Sequence, residues 1–236
     1  MNVRSLIAAL TVLVLASCGE DASSPAKIGA NPSVPPAPTA LRIAVIPKGT
    51  THEFWKSIHA GAVKAQRELT AAWTPVEIIW KGPLKEDDRT SQIDTVQTFV
   101  GQGISGIVLA PLDRTALVAP VQLAVTAKIP VVIIDSGLAS ELPASTVATD
   151  NRAGGRLGGK RLGEVLGGKG KVILVRYQEG SASTADREAG FLDAMKEFPE
   201  LVLVSTDQYA GATRETALTA CQNLLNRFAD IQGVFT

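Results

Sequence analysis

The sequence predicts an α/β protein built as two units, each a parallel sheet covered by helices. Three observations carry this reading. From Leu41 onward, apolar strand-like runs alternate with helical patterns without exception. Some runs, such as Val131-Val132-Ile133-Ile134, are apolar throughout, as strands buried on both faces require. The rhythm breaks once, at 138–145, and so divides the chain into two stretches of about a hundred residues, an ordinary domain size.

In the first unit, strand 41–46 (LRIAVI) is stopped by Pro47 and Gly49. Phe54, Ile58, Ala62 and Leu69, with Val63 beside them, then recur at helical spacing and predict a helix over 54–69 with that face inward. Strand 76–80 follows, then helix 89–100 with Ile93, Val96, Phe99 and Val100 as its apolar face. Asp87 and Asp88 stand at its start, where carboxylates cap free N–H groups and suit the helix dipole. Strand 106–110 ends at Pro111, helix 116–127 comes next, and strand 130–134 closes the unit near Gly137.

The second unit opens with a short strand, 146–149. Asp150 and Asn151 cap a helix carrying Leu157, Leu162, Val165 and Leu166, and Gly167 to Gly170 stop it. Strand 171–175, helix 186–198, strand 201–205, helix 214–228 and strand 233–236 continue the alternation. The expected boundaries are 41–140 and 141–236 for the two units.

The residues before 41 read as targeting sequence and tether. Arg4 precedes an apolar stretch, 6–16, which has the length of a signal-peptide core and is too short to span a bilayer as a helix. It ends Leu15-Ala16-Ser17-Cys18, which resembles the lipobox of bacterial lipoproteins, so 1–17 is expected to be removed and Cys18 lipidated as a membrane anchor. Residues 18–40, rich in Pro, Ser and Ala, form an extended tether. With Cys18 acylated, Cys221 is left without a disulfide partner and reads as a small apolar residue within a helix.

Composition narrows function. The chain of 236 residues has a formal net charge of zero, so a basic surface for nucleic acid is not indicated. Aromatics are only 5% of residues, which makes the adjacent pair Phe54-Trp55 informative. That pair follows a strand-to-helix loop holding Lys48, Thr50 and His52. In doubly wound sheets ligands bind outside the carboxyl ends of strands, where this loop lies, so it is expected to wall a small-molecule cleft. His52 and His59 are seven apart and do not make a zinc motif, and no cofactor is implied. Gly154 to Gly159 invite a dinucleotide reading, but they lie inside a helical stretch rather than at a tight turn. An exported oxidoreductase is therefore the second reading.

Six stretches in order resemble the type I periplasmic solute-binding proteins of ABC importers, in the ribose-binding branch. They are the opening strand with Phe54-Trp55, GIVLAP at 106–111, IPVVIIDS at 129–136, ATDNRAGG at 148–155, REAGF at 187–191 and QNLL at 222–225. The resemblance implies two Rossmann-like lobes that close on a sugar and deliver it to a membrane permease, without catalysis. It implies that Phe54 and Trp55 stack on the sugar, and that His52 and Asp135 hydrogen-bond its hydroxyls. Arg187 matches the family's R-x-x-G-F arginine. Ser136 stands where ribose binders have arginine, and Ala185 replaces another ligand-contacting arginine. Lys48 and Lys81, at strand ends, suggest an acidic or phosphorylated sugar. Structural readings stand beside these: Asp135 as a turn cap, Arg187 in an ion pair, and both lysines solvated. A family member runs on beyond the equivalent of Thr236, so the sequence is expected to be a fragment that lacks a crossover and binds weakly or not at all alone. A monomer in the periplasm or cell envelope is expected, and a sensor lobe is the alternative to transport. A repressor of the same two-lobed type would carry a helix-turn-helix where this chain has its leader.

Overall fold

The computed structural model describes residues 40–72 and 74–236. The expected leader, the tether and Cys18 lie outside the described residues, apart from position 40. In chain order the first lobe comprises β1 (Leu41–Ile46), α1 (Glu53–Ala72), β2 (Val76–Trp80), α2 (Arg89–Gly101), β3 (Gly106–Leu109), α3 (Val118–Thr126), β4 (Val131–Ile134) and β5 (Ser145–Val147). Its strands are all parallel, in the order β2-β1-β3-β4-β5. Val45 pairs with Trp80 on one side and with Val108 on the other, so the exits of β1, β2 and β3 lie together at one edge. The strand order reverses between β1 and β3, the switch point where such sheets leave a crevice.

Alternation along the strands sends Ala44, Ile46, Ile107, Leu109, Val131 and Ile133 into one core with Val96, Phe99, Leu117, Val121 and Ala124 of the α2–α3 side. Gln92 is fully buried there. Its amide donates to Pro47 O at 2.9 Å and Ala110 O at 2.8 Å, and its oxygen accepts the Leu112 N–H at 2.8 Å. One side chain thus bolts the exits of β1 and β3 together.

The second lobe comprises α4 (Asn151–Val165), β6 (Lys169–Arg176), α5 (Ala182–Met195), β7 (Glu200–Tyr209), α6 (Arg214–Arg227) and β8 (Gly233–Phe235), with sheet order β7-β6-β8, again parallel. Val172 and Leu174 face Phe191, Ala194 and Met195, while Ile173 and Val175 face Leu224 on the opposite side. Cys221 is a free, half-buried thiol packed against this second cluster.

Every expected element is present, and the differences have local causes. Asp88 and Asp150 cap α2 and α4 by accepting the Ser91 and Ala153 N–H groups. β5 pairs with β4, so the chain leaves the first sheet after Val147 and not at 140. α5 begins at Ala182, four residues before the expected start, because Ser181 to Ala185 are small residues that carry no apolar period. β7 runs on to Tyr209 because its pairing with β6 shifts register after Val172 and resumes at Gln208 and Tyr209.

Two helix faces correct the sequence reading. In α1 Trp55 is the buried residue, while Phe54 and Leu69 are each 47% exposed, because the helix packs mainly on β2, the edge strand. In α4 the expected apolar residues Leu157 and Val165 face solvent. The buried line is Gly155, Gly159 and Gly163: the Arg187 backbone of α5 lies against Gly155, Phe191 and Ala194 of α5 against Gly159, and the Phe198 ring just beyond α5 against Gly163.

Candidate functional site

The site is built from loops at the switch-point edge. Lys48 leaves β1 and is 3% exposed. Its ammonium lies 3.4 Å from Asp135 Oδ2 and donates to Ser181 Oγ at 3.2 Å and Ser183 Oγ at 3.4 Å. An ammonium has three protons, and here three acceptors surround it. Burial holds the Lys48 pKa below 10.5, and the attraction of Asp135 offsets this only in part.

Asp135 follows β4 with φ of 64°, a left-handed conformation that Asp adopts more readily than most residues. Ser136 is fully buried, and its hydroxyl accepts the Ser183 N–H at 3.0 Å. Ser136 is therefore a link between the lobes and does not line the cavity.

The loop after β2 is locked to the loop after β1. A Cβ on Gly82 would lie 2.9 Å from Pro47, and one on Gly49 would lie 2.9 Å from Glu86 Cγ, so both glycines permit close approach. Thr50 and Thr51 donate to Pro83 O at 3.1 Å and Leu84 O at 2.8 Å. Thr50, expected at the ligand, instead anchors the loop that carries Glu86. There Glu86 accepts the Trp55 indole N–H at 2.8 Å and the Tyr177 hydroxyl at 2.7 Å. Burial first, and the Glu86 charge second, push the Tyr177 phenol well above its ordinary pKa, so it stays a donor.

His52 caps α1: its Nδ1 accepts the Phe54 N–H at 3.2 Å, which leaves Nε2 for a ligand. The Phe54 ring meets Trp55 edge-on, 4.9 Å between centroids and 79° between planes. Trp55 is 1% exposed, so Phe54 is the open ring of the pair.

Between the lobes lies a cavity of about 240 Å³, lined by Lys48, His52, Phe54, Trp55, Glu86, Asp135, Tyr177, Ser183, Thr184, Arg187 and Ala212. Of the sequence candidates, Lys48, His52, Phe54, Trp55, Asp135 and Arg187 converge here, while Thr50, Lys81 and Ser136 do not line it. Lys81 is exposed at the end of β2, and the Lys48 charge is met by Asp135, so the two lysines form no joint anion site. Arg187 forms no ion pair among the described residues, and it comes to the cavity from α5. Glu86, Tyr177, Ser183 and Thr184 were not candidates. Tyr177 is one of two tyrosines and follows a strand, the same signal of scarcity that drew attention to Phe54-Trp55.

The arrangement can receive a small polar ligand with flat apolar faces. Two cations (Lys48, Arg187) balance two carboxylates (Glu86, Asp135), and rings reach in from both lobes. Residues 43–236 match the family model of the periplasmic binding protein domain. The chain belongs to that family. The D-ribose/D-allose-binding protein of Pseudomonas aeruginosa is 33% identical over 164 residues, 67% of this chain and 50% of that protein. The ribose import binding protein of Bacillus subtilis is 30% identical over 150 residues, 64% of this chain and 48% of its own. The chain spans about half the length of these curated relatives. Among solved structures, a carbohydrate transporter solute-binding protein from Agrobacterium radiobacter in complex with D-arabinose superposes with TM-score 0.78 at 32% identity. The superposition covers 83% of this chain and 66% of that one. An ABC transporter solute-binding protein from Agrobacterium vitis with bound D-fucose gives 0.71 at 32% identity over 82% and 66%. The α/β two-lobed architecture is therefore that of the family.

Proposed function

We propose that the gene product is an extracytoplasmic lipoprotein, anchored through Cys18, that binds one monosaccharide or sugar derivative between its lobes. It acts as a monomer in the periplasm or cell envelope and hands the ligand to the membrane permease of an ABC importer. It binds and does not catalyse. The observation that carries this reading is the cavity itself, in which balanced charge, two carboxylates and aromatic rings face one small volume. At about 240 Å³ it falls below the ~300–1,000 Å³ of drug-sized ligand sites, on the scale of a single sugar ring.

That balance favours a neutral sugar over the acidic or phosphorylated one suggested by the lysines. A ligand carboxylate would bring a third anion beside Glu86 and Asp135, with the Lys48 ammonium already engaged. The D-ribose, D-allose, D-arabinose and D-fucose in the names of the similar proteins are all uncharged. A thermal-shift screen of neutral monosaccharides, polyols and sugar acids on the intact gene product tests this, since a ligand raises apparent stability by mass action. Neutral sugars are expected to raise the midpoint and sugar acids to leave it unchanged; a shift with acids alone would overturn the neutral assignment.

A further inference from the structure

The second lobe buries a carboxylate that does not itself line the cavity. Glu188 of α5 is 7% exposed, and its Oε2 accepts the Arg176 Nε–H at 2.7 Å from the exit end of β6. The same guanidinium lies over the Tyr209 ring at the end of β7, 4.4 Å from its centroid. One acid, one base and one ring thus join α5, β6 and β7 beside Arg187, Tyr177 and Ala212, which do line the cavity. We propose that Glu188 is a positioning residue for the ligand site: through Arg176 it fixes α5 and the turn after β7, and so aims the neighbouring Arg187 into the cavity.

Three further observations support this role. β7 is an edge strand whose pairing with β6 shifts register after Val172 and again after Ile173, so the ladder alone holds its exit end poorly. There Arg176 pairs with Tyr209, and the turn beyond is tied back by the Ala210 N–H to Arg176 O at 2.7 Å and the Gly211 N–H to Tyr177 O at 2.8 Å. Second, α5 is seated on two sides at one level, because Arg187 O lies against Gly155 of α4 while Glu188 reaches β6. A helix held on two faces cannot roll, and the direction of Arg187 follows. Third, Arg187 forms no ion pair among the described residues, so its aim comes from its base and not from its tip. A buried ion pair stabilises little more than apolar side chains of the same volume would, which leaves direction as its contribution. Every contact of the clamp lies within the second lobe. Its effect on binding rests on the sugar-binding reading; the clamp itself does not.

Glu188→Gln supplies the test, because it keeps the shape and an oxygen acceptor and removes the charge. In the chain without added sugar, amide hydrogen exchange followed by NMR should show Ala210 and Gly211 speeded about fivefold to tenfold, as the weakening of a charge-assisted bond implies. The Leu201 amide, at the other end of β7, should not change. Arg176→Met combined with Glu188→Met replaces the pair by apolar side chains that keep the lobe folded, and should speed the same two amides at least as much. Calorimetry reads the effect on Arg187, with the neutral aldose that the parent binds best among D-ribose, D-allose, D-arabinose and D-fucose. Glu188→Gln should weaken that affinity about fivefold in the parent and less than about twofold once Arg187→Ala is present, since the positioned group is then gone. A merely structural pair would lower the thermal midpoint and leave the two affinity losses equal. Unchanged exchange at Ala210 and Gly211, a rise shared by Leu201, or equal affinity losses in both backgrounds would each overturn the assignment. If the parent bound none of the four sugars, the sugar-binding reading would fail, while the exchange rates would still decide the clamp.

Discussion

Replacing Gly155 with alanine tests how the second lobe is packed and how that packing reaches the cavity. A Cβ at position 155 would lie 1.9 Å from Arg187 O, 2.6 Å from Arg187 C and 2.7 Å from Arg187 Cα. These are backbone atoms of α5, so no rotamer change relieves the contact, and α4 and α5 must separate. Overpacking of this kind costs roughly 1–3 kcal/mol, occasionally more. Alanine returns about 1 kcal/mol through helix propensity. A backbone-to-backbone clash belongs at the upper end, so the expected net loss is about 2 kcal/mol. Gly154 is the internal control: it sits in the same helix with nothing within 4 Å of an added Cβ. Gly154→Ala should therefore gain roughly 0.5–1 kcal/mol. Urea denaturation of the three proteins measures both changes, and the m-values show whether the denatured state is comparable. Adjacent substitutions of one chemistry with opposite signs are the signature of the glycine contact. Equal signs, or a Gly155→Ala protein as stable as the parent, would refute the packing of α4 on α5.

Three further outcomes follow from named contacts. Gln92→Leu leaves two buried carbonyls and the Leu112 N–H without their partner and should cost about 3 kcal/mol in urea denaturation; a loss below ~1 kcal/mol would mean other groups replace it. Because the folded-state pKa of Lys48 is depressed by burial, native protein loses that proton before unfolded protein does. The cost of the buried charge is thus fully present below the folded pKa and is relieved as pH rises through it toward 10.5. The stability difference between the parent and Lys48→Met should therefore shift in favour of the parent over that window, and a flat or falling difference would contradict the burial argument. Cys18→Ser should move the protein from the membrane fraction to the soluble fraction on fractionation, and retention in the membrane would argue against lipid anchoring.

The strands and the two sheets were legible because strands buried on both faces are apolar throughout, and because Pro47, Gly49 and the glycines from 167 punctuate them. Lys48 and Asp135 could be picked out for a related reason, since Asp135 directly follows β4, Lys48 is separated from the end of β1 only by Pro47, and parallel topology collects strand ends at one edge. The α4 face was misread because hydropathy registers side chains, whereas this helix packs through their absence at Gly155, Gly159 and Gly163. Leu157 and Val165 supplied a helical period that points to solvent. Glu86 and Tyr177 could not be found by local pattern, since their bond joins loops 91 residues apart and each loop alone reads as polar connection. Thr50 was assigned to the ligand because a threonine in a cleft loop and a threonine anchoring a neighbouring loop look alike in sequence.

The central claim is that a neutral sugar is gripped by both lobes at once, and calorimetric titration of neutral aldoses into the intact gene product measures it most directly. Asp135→Asn tests the first lobe and Arg187→Ala the second, and each should weaken the affinity of the same sugar by about tenfold or more, as loss of a charge-assisted hydrogen bond implies. The thermal midpoint of Arg187→Ala should stay near that of the parent, whereas that of Asp135→Asn should fall, because the buried Lys48 ammonium loses its counter-charge. An affinity unchanged by either substitution would place the ligand outside this cavity and contradict the account.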